Sequence, residues 1–253
     1  MPTNGLEAWL KVALNSKRII KIYHHFFILY HMCYNQTISL FTFTVMAIST
    51  IYLIYRNYPN DRWVAIVFIS AGLMQLLEYF MWKDQSCGRM NHLATIGAFL
   101  LLLIQPIAVL IGAYYFGDLV FILKNKLAPI IWIYGIIIGI FAINWINYAS
   151  KKRLCSRSNR IHLDWDFKPI MKIFWVLYYL VILLFFMSRP WYLGGFIGLL
   201  LIGTLLFSVF YVKNTSWKSL WCWIINFIPI IYIILSYFIH KNEIKPQIQK
   251  KLI

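Results

Sequence analysis

Seven continuous apolar runs constrain this chain more than any other feature. They span roughly 37–55, 62–83, 93–115, 129–148, 169–188, 192–212 and 217–239. Each is long enough to cross about 30 Å of hydrocarbon at about 1.5 Å per helical residue. Lipid offers no partner for a bare backbone N–H or C=O, so a spanning segment must satisfy its own hydrogen bonds. The runs do not alternate apolar with polar residues, which excludes barrel strands. The expected fold is therefore all-α, a polytopic transmembrane bundle of seven helices. Residues 37–240 form that domain, after an N-terminal extension over 1–36 and before a basic tail over 241–253. A six-helix alternative would fuse the fifth and sixth runs into a hairpin that does not cross.

Composition agrees. Hydrophobic residues make up 61% of the 253 and charged residues 13%, against about a quarter charged in a soluble domain. The net charge of +16 is scattered through short connections, so it reads as membrane-flanking loops rather than a nucleic-acid surface. The lipid bilayer is the expected partner, and oligomeric state is open. Residues 19–34 are broken by Lys21, His24, His25 and His31, which suits a short interfacial amphipathic helix rather than a span. Met32 offers a second start.

Punctuation falls between the runs, at Pro59-Asn60, Gly88, Asn91 and Pro190. Pro106 and Pro229 lie inside runs, where each removes an N–H and frees a carbonyl. Gly135/Gly139 and Gly194/Gly198 are spaced for close helix approach.

Seven spans alternate the connections between two sides. The side holding the N-terminus carries fourteen basic residues against nine opposite, chiefly through residues 149–168. The positive-inside rule then makes the N-terminus cytoplasmic. All four cysteines, Cys33, Cys87, Cys155 and Cys222, fall on the N-terminal side. They are free thiols if that side is cytoplasmic, and one or two disulfides form if it is luminal.

Glu78 is the acidic residue set deep within a span. Such a group is costly in hydrocarbon and faces the bundle interior. Gln75, Glu78 and Trp82 recur at helical spacing on one face. Other polar residues gather in the same half of the membrane: Asn144 and Asn147 in the fourth run, Ser219, Cys222 and Asn226 in the seventh, and Cys33, Asn35 and Ser39 at the first. Gln105 sits near mid-depth in the third. Together they suggest a polar ligand-binding cavity open to the N-terminal side, bordered by Trp82, Trp145, Trp175, Trp221 and Trp223. Most of these tryptophans also suit an interfacial aromatic belt. His162, Asp164 and Asp166 alternate in the basic connection and read as a solvated, charge-paired loop.

Several classes are excluded. The last run has no deep lysine for a retinal Schiff base, since Lys218 stands at its edge. No ladder of basic residues senses voltage, no filter-like loop selects ions, and no Cys/His spacing holds a metal. No cofactor is expected. Three functions stay open: a small-solute or ion transporter or ligand-binding receptor centred on Glu78; a membrane-embedded enzyme with Glu78 as acid/base and Cys33 or Cys222 as nucleophile; and a structural or assembly protein in which Glu78 only ties helices.

Three pieces, Met32-Cys33 followed by Ser39, Gln75-x-x-Glu78-x-x-x-Trp82, and Ser219-Leu220-Trp221-Cys222, resemble a widespread family of uncharacterised multi-pass membrane proteins. Its members often begin with Met-Cys and carry Gln-x-x-Glu in the second span, and large DNA viruses have members. The resemblance covers most of residues 32–240 and implies the topology and the importance of Glu78. It implies no activity.

Overall fold

A computed structural model describes residues 35–119, 121–159, 162–167, 182–212 and 217–251; for 121–125, 159 and 242–251 it describes the backbone alone. The expected interfacial segment over 19–34 and most of the fifth run lie outside the described residues. Six helices there are long and apolar enough to cross a membrane, so the chain is an integral, multi-pass helical protein.

Helix α1 covers Gln36–Arg56 and opens on Asn35, whose side chain accepts the Ile38 N–H. It stops at Asn57, which adopts a left-handed conformation (φ 54°) that asparagine tolerates. After Pro59 and Asn60, helix α2 runs over Asp61–Lys83 with Asp61 in its first turn, where a carboxylate complements the helix dipole. Helix α3 covers Arg89–Phe116 and carries Pro106 inside it. Helix α4 covers Phe121–Ala149, of which Lys126–Ala149 forms the candidate span. Helices α1 to α4 pack in sequence order, each on the next.

A short antiparallel hairpin follows, β1 (Arg157–Asn159) and β2 (His162–Asp164), with Arg157 opposite Asp164. After a 3₁₀ turn at Leu183–Met187, helix α5 covers Trp191–Tyr211. Gly194 and Gly198 of α5 press against that turn, which leaves no room for a Cβ. Among the described residues, nothing lies within 4 Å of where a Cβ on Gly135 or Gly139 of α4 would stand. The last run is two helices, α6 (Trp217–Ile225) and α7 (Ile228–Lys251). They break at Asn226 and Phe227, just before Pro229. That proline has no N–H and crowds the turn before it.

At the far end of the bundle a buried ion pair ties three helices. Arg56 makes two 2.8 Å bonds to Asp61 and also donates to the Ile233 carbonyl and the Ser236 hydroxyl of α7. Asn60 fastens the same end by donating to the Arg189 carbonyl and accepting from the Asp118 N–H. Leu119 bridges to Ser188 there.

Candidate functional site

The site is built where α2 meets α1 and α6. Glu78 is 2% exposed. It stands five residues before Lys83, about 8 Å inside the C-terminal end of α2. Its Oε2 accepts from Gln75 Nε2 at 3.0 Å, one turn along the same face. Gln75 Oε1 in turn accepts from the Thr42 hydroxyl of α1 at 3.1 Å. The Ser219 hydroxyl of α6 also bonds the carboxylate. These partners form a ladder. Helices α2 and α6 run antiparallel, so Ser219 meets Glu78 and Cys222 lies within electrostatic reach of Glu78. Asn226 comes level with Gly72, where its Oδ1 would lie 3.8 Å from an added Cβ.

The third partner of Glu78 comes from outside the helices. Trp165 Nε1 donates to Oε1 at 3.0 Å. Trp165 follows the hairpin, and its segment is welded onto the N-terminal end of the bundle. Cys87 and Cys155 are joined by a disulfide. Asn91, fully buried, donates to the Ser156 carbonyl and accepts the Ser156 N–H. Thr95 and Ser156 share a 2.9 Å hydroxyl bond, and the Leu154 N–H donates to His92 Nδ1. Phe99, Trp145 and Phe167 pack beneath, with Phe99 stacked on Trp145 at 4.0 Å. Residues 154–159 and 162–167 therefore form a fixed cap over Glu78.

Local chemistry explains the loop that receives the cap. Asp84 accepts from the Gly88 and Asn91 N–H groups and the Ser86 hydroxyl. These donors, the Asn91 N–H foremost, hold its carboxyl below the usual range. His162, expected in a solvated loop, is instead 4% exposed with both ring nitrogens unpartnered. Burial pushes its pKa down to about 4. Among the described residues no His, Cys, Asp or Glu group could hold a metal.

The expected site residues divide. Gln75 and Glu78 are directly bonded, Cys222 approaches Glu78 from α6, and Asn226, at the break after α6, comes level with Gly72. Trp82 lies one turn beyond Glu78, half-buried. Gln105 is buried at a different depth: it donates to the Ser70 carbonyl and lines an apolar cavity of about 40 Å³ with Phe68, Pro106, Leu201 and Trp221. Asn144 and Asn147 are exposed, and Asn144 bonds its own helix at Ile140. They flank the buried Trp145–Ala149 face of α4 instead of sharing it, because residues one or two apart do not point the same way. Trp145 and Trp221 are core residues, at 5% and 2% exposure, not members of an interfacial belt.

Sequence reasoning missed Trp165, Thr42 and Asn91. Thr42 carried no signal beyond being a polar group in an apolar run, and Trp165, flanked by Asp164 and Asp166, read as part of a solvated connection. Asn91 read as a breaker. Comparison with protein-family models, characterised proteins and solved structures returns no match.

Two chemical features stand out. Every partner of Glu78 named above is a donor, so the site suits a carboxylate anion. Among the described residues the ion pair is Arg56–Asp61, and none involves Glu78. The second feature is Asn226. It is fully buried at the helix break, its Nδ2 donates to the Cys222 carbonyl, and its Oδ1 has no donor.

Proposed function

We propose that this protein is a transporter or ligand-binding receptor for a small cation, the proton included, with Glu78 as the charge-bearing group. The observation that carries the reading is a buried carboxylate held by three neutral donors, with no cation paired to it among the described residues. An unneutralised charge in such a setting is strongly unfavourable, so a proton or a cation completes it. The break between α6 and α7 supports the same reading. Irregular backbone at membrane depth is tolerated where protein buries it or it lines a cavity, and broken helices of transporters place their acceptors at ion sites. Asn226 Oδ1 supplies a bare acceptor there.

Flux into proteoliposomes, read with an internal pH dye under an imposed potential, tests this. The wild type conducts protons or a monovalent cation and Glu78→Gln does not, while both keep the same thermal midpoint. Equal flux in the two would overturn the reading. If neither conducts and Glu78→Gln only lowers the midpoint, Glu78 is a helix tie. The completeness of its donor set favours that second reading.

The reading includes seven crossings. The chain leaves the N-terminal end at Phe167 and reappears beside Asp118 and Leu119 at the opposite end by Ser188, which supports a span between. It also turns the protein over. The Cys87–Cys155 disulfide supports an oxidising compartment on the N-terminal side, against the charge count that favours a cytoplasmic N-terminus. Labelling of Cys87 and Cys155 by an impermeant thiol reagent after reduction, from each side in turn, decides it. Kinship with the Met-Cys membrane family belongs to the same proposal and rests on the three motif pieces.

A further inference from the structure

A second site lies at the same end of the bundle, away from Glu78. Where α4 ends and α3 begins, Arg89, His92, Lys151, Lys152 and Arg153 surround a cavity of about 350 Å³, with Ala149 and Ser150 completing the wall. Among the described residues no carboxylate lines it. His92 Nδ1 already accepts the Leu154 N–H, so in the neutral ring Nε2 carries the proton and is the donor. Among the described residues, the titratable side chains facing the cavity are thus all donors. Arg89, Lys151, Lys152 and Arg153 are exposed.

Depth decides what such a pocket meets. It opens at the ends of two membrane-spanning helices, which is headgroup level. One turn further into the bilayer both helices present exposed apolar residues, Leu93 on α3 and Ile143 and Ile146 on α4. A soluble phosphate would use the basic rim and ignore that strip. A phospholipid uses both, with its phosphate among the cations and its chains along α3 and α4.

We propose that this pocket binds the phosphate headgroup of an anionic phospholipid. The cluster supplies fork-shaped guanidinium donors for phosphate oxygens beside lysines that act as point charges. Disulfide, cap and pocket share the residues from Ala149 to Ser156, so a lipid bound here sits against the segment that covers Glu78.

The test measures binding of a short-chain phosphatidic acid to the purified full chain in uncharged detergent. Each basic residue near a membrane surface contributes about a factor of five. The Lys151→Gln/Lys152→Gln/Arg153→Gln variant should therefore lose about a hundredfold in affinity, and Arg89→Gln about fivefold. Lys83→Gln, an exposed base on the same side outside the pocket, should change nothing. Inorganic phosphate at equal concentration should not displace the lipid. The proposal is overturned if short-chain phosphatidylcholine binds as tightly, or if Lys83→Gln weakens binding as much as the triple variant. It is equally overturned if inorganic phosphate competes on equal terms, which would make this a free-phosphate site. Should the triple variant fail to fold, Arg89→Gln alone decides, and unchanged affinity there counts against the site.

Discussion

Replacing Trp165 by phenylalanine isolates one interaction at the centre of the account. The ring keeps its place near Phe167, 5.3 Å between centroids, while the indole N–H that reaches Glu78 Oε1 at 3.0 Å is removed. A hydrogen bond to a charged group contributes about 1.5–3 kcal/mol, and one between neutral groups about 0.5–1.5 kcal/mol. Trp165→Phe should therefore destabilise the wild type by about 2 kcal/mol and the Glu78→Gln background by about half as much. The pair forms a double-mutant cycle, since the two side chains are in contact. Unfolding in detergent can be followed by dye labelling of Cys222, which is buried in the folded state. Equal losses in both backgrounds would show that Trp165 contributes packing alone. A loss below about 0.5 kcal/mol in the wild type would refute the bond as a stabilising contact.

Three other outcomes follow from the same geometry. His162 is held neutral by burial at about pKa 4, against an ordinary value of about 6.5. The unfolded chain takes up its proton first, so stability is full above about pH 6.5 and is lost as pH falls toward 4; His162→Met should flatten that part of the pH–melting curve. Opening the Cys87–Cys155 bond, whose partners lie 68 residues apart, should lower stability by about 4 kcal/mol on loop-closure entropy, read as a drop in thermal midpoint with reductant that Cys87→Ser/Cys155→Ser abolishes. Asp61→Ala leaves the Arg56 guanidinium buried and unpaired and should destabilise by about 3–5 kcal/mol, while Arg56→Met/Asp61→Leu should recover most of that, both measured by thermal unfolding.

The spans were legible because lipid imposes one requirement along a whole run, and run length answers it directly. The helices Gln36–Arg56, Asp61–Lys83 and Trp191–Tyr211 begin and end within a residue or so of the apolar runs that announce them. The Gln75–Glu78 face was legible for a similar reason, since a carboxylate in hydrocarbon has few places to point. Asn144 and Asn147 were misjudged because an amide on a long apolar helix can bond its own backbone, as Asn144 does at Ile140, and so need not face inward. The cap was invisible. Nothing local in Cys155, Trp165 or Asn91 marks them as partners of residues far away in sequence, and the basic character of residues 149–168 suggested a solvated loop. Trp165 is aimed at Glu78 by a disulfide and a fully buried amide, both long-range events.

The most direct test of the central claim is infrared difference spectroscopy of the reconstituted protein while pH is varied from about 4 to about 10. The account predicts a carboxyl band that titrates, shifts when a monovalent cation is added, and is missing in Glu78→Gln. A spectrum that neither titrates nor responds to cations, and is identical in Glu78→Gln, would contradict it and leave Glu78 as a helix tie.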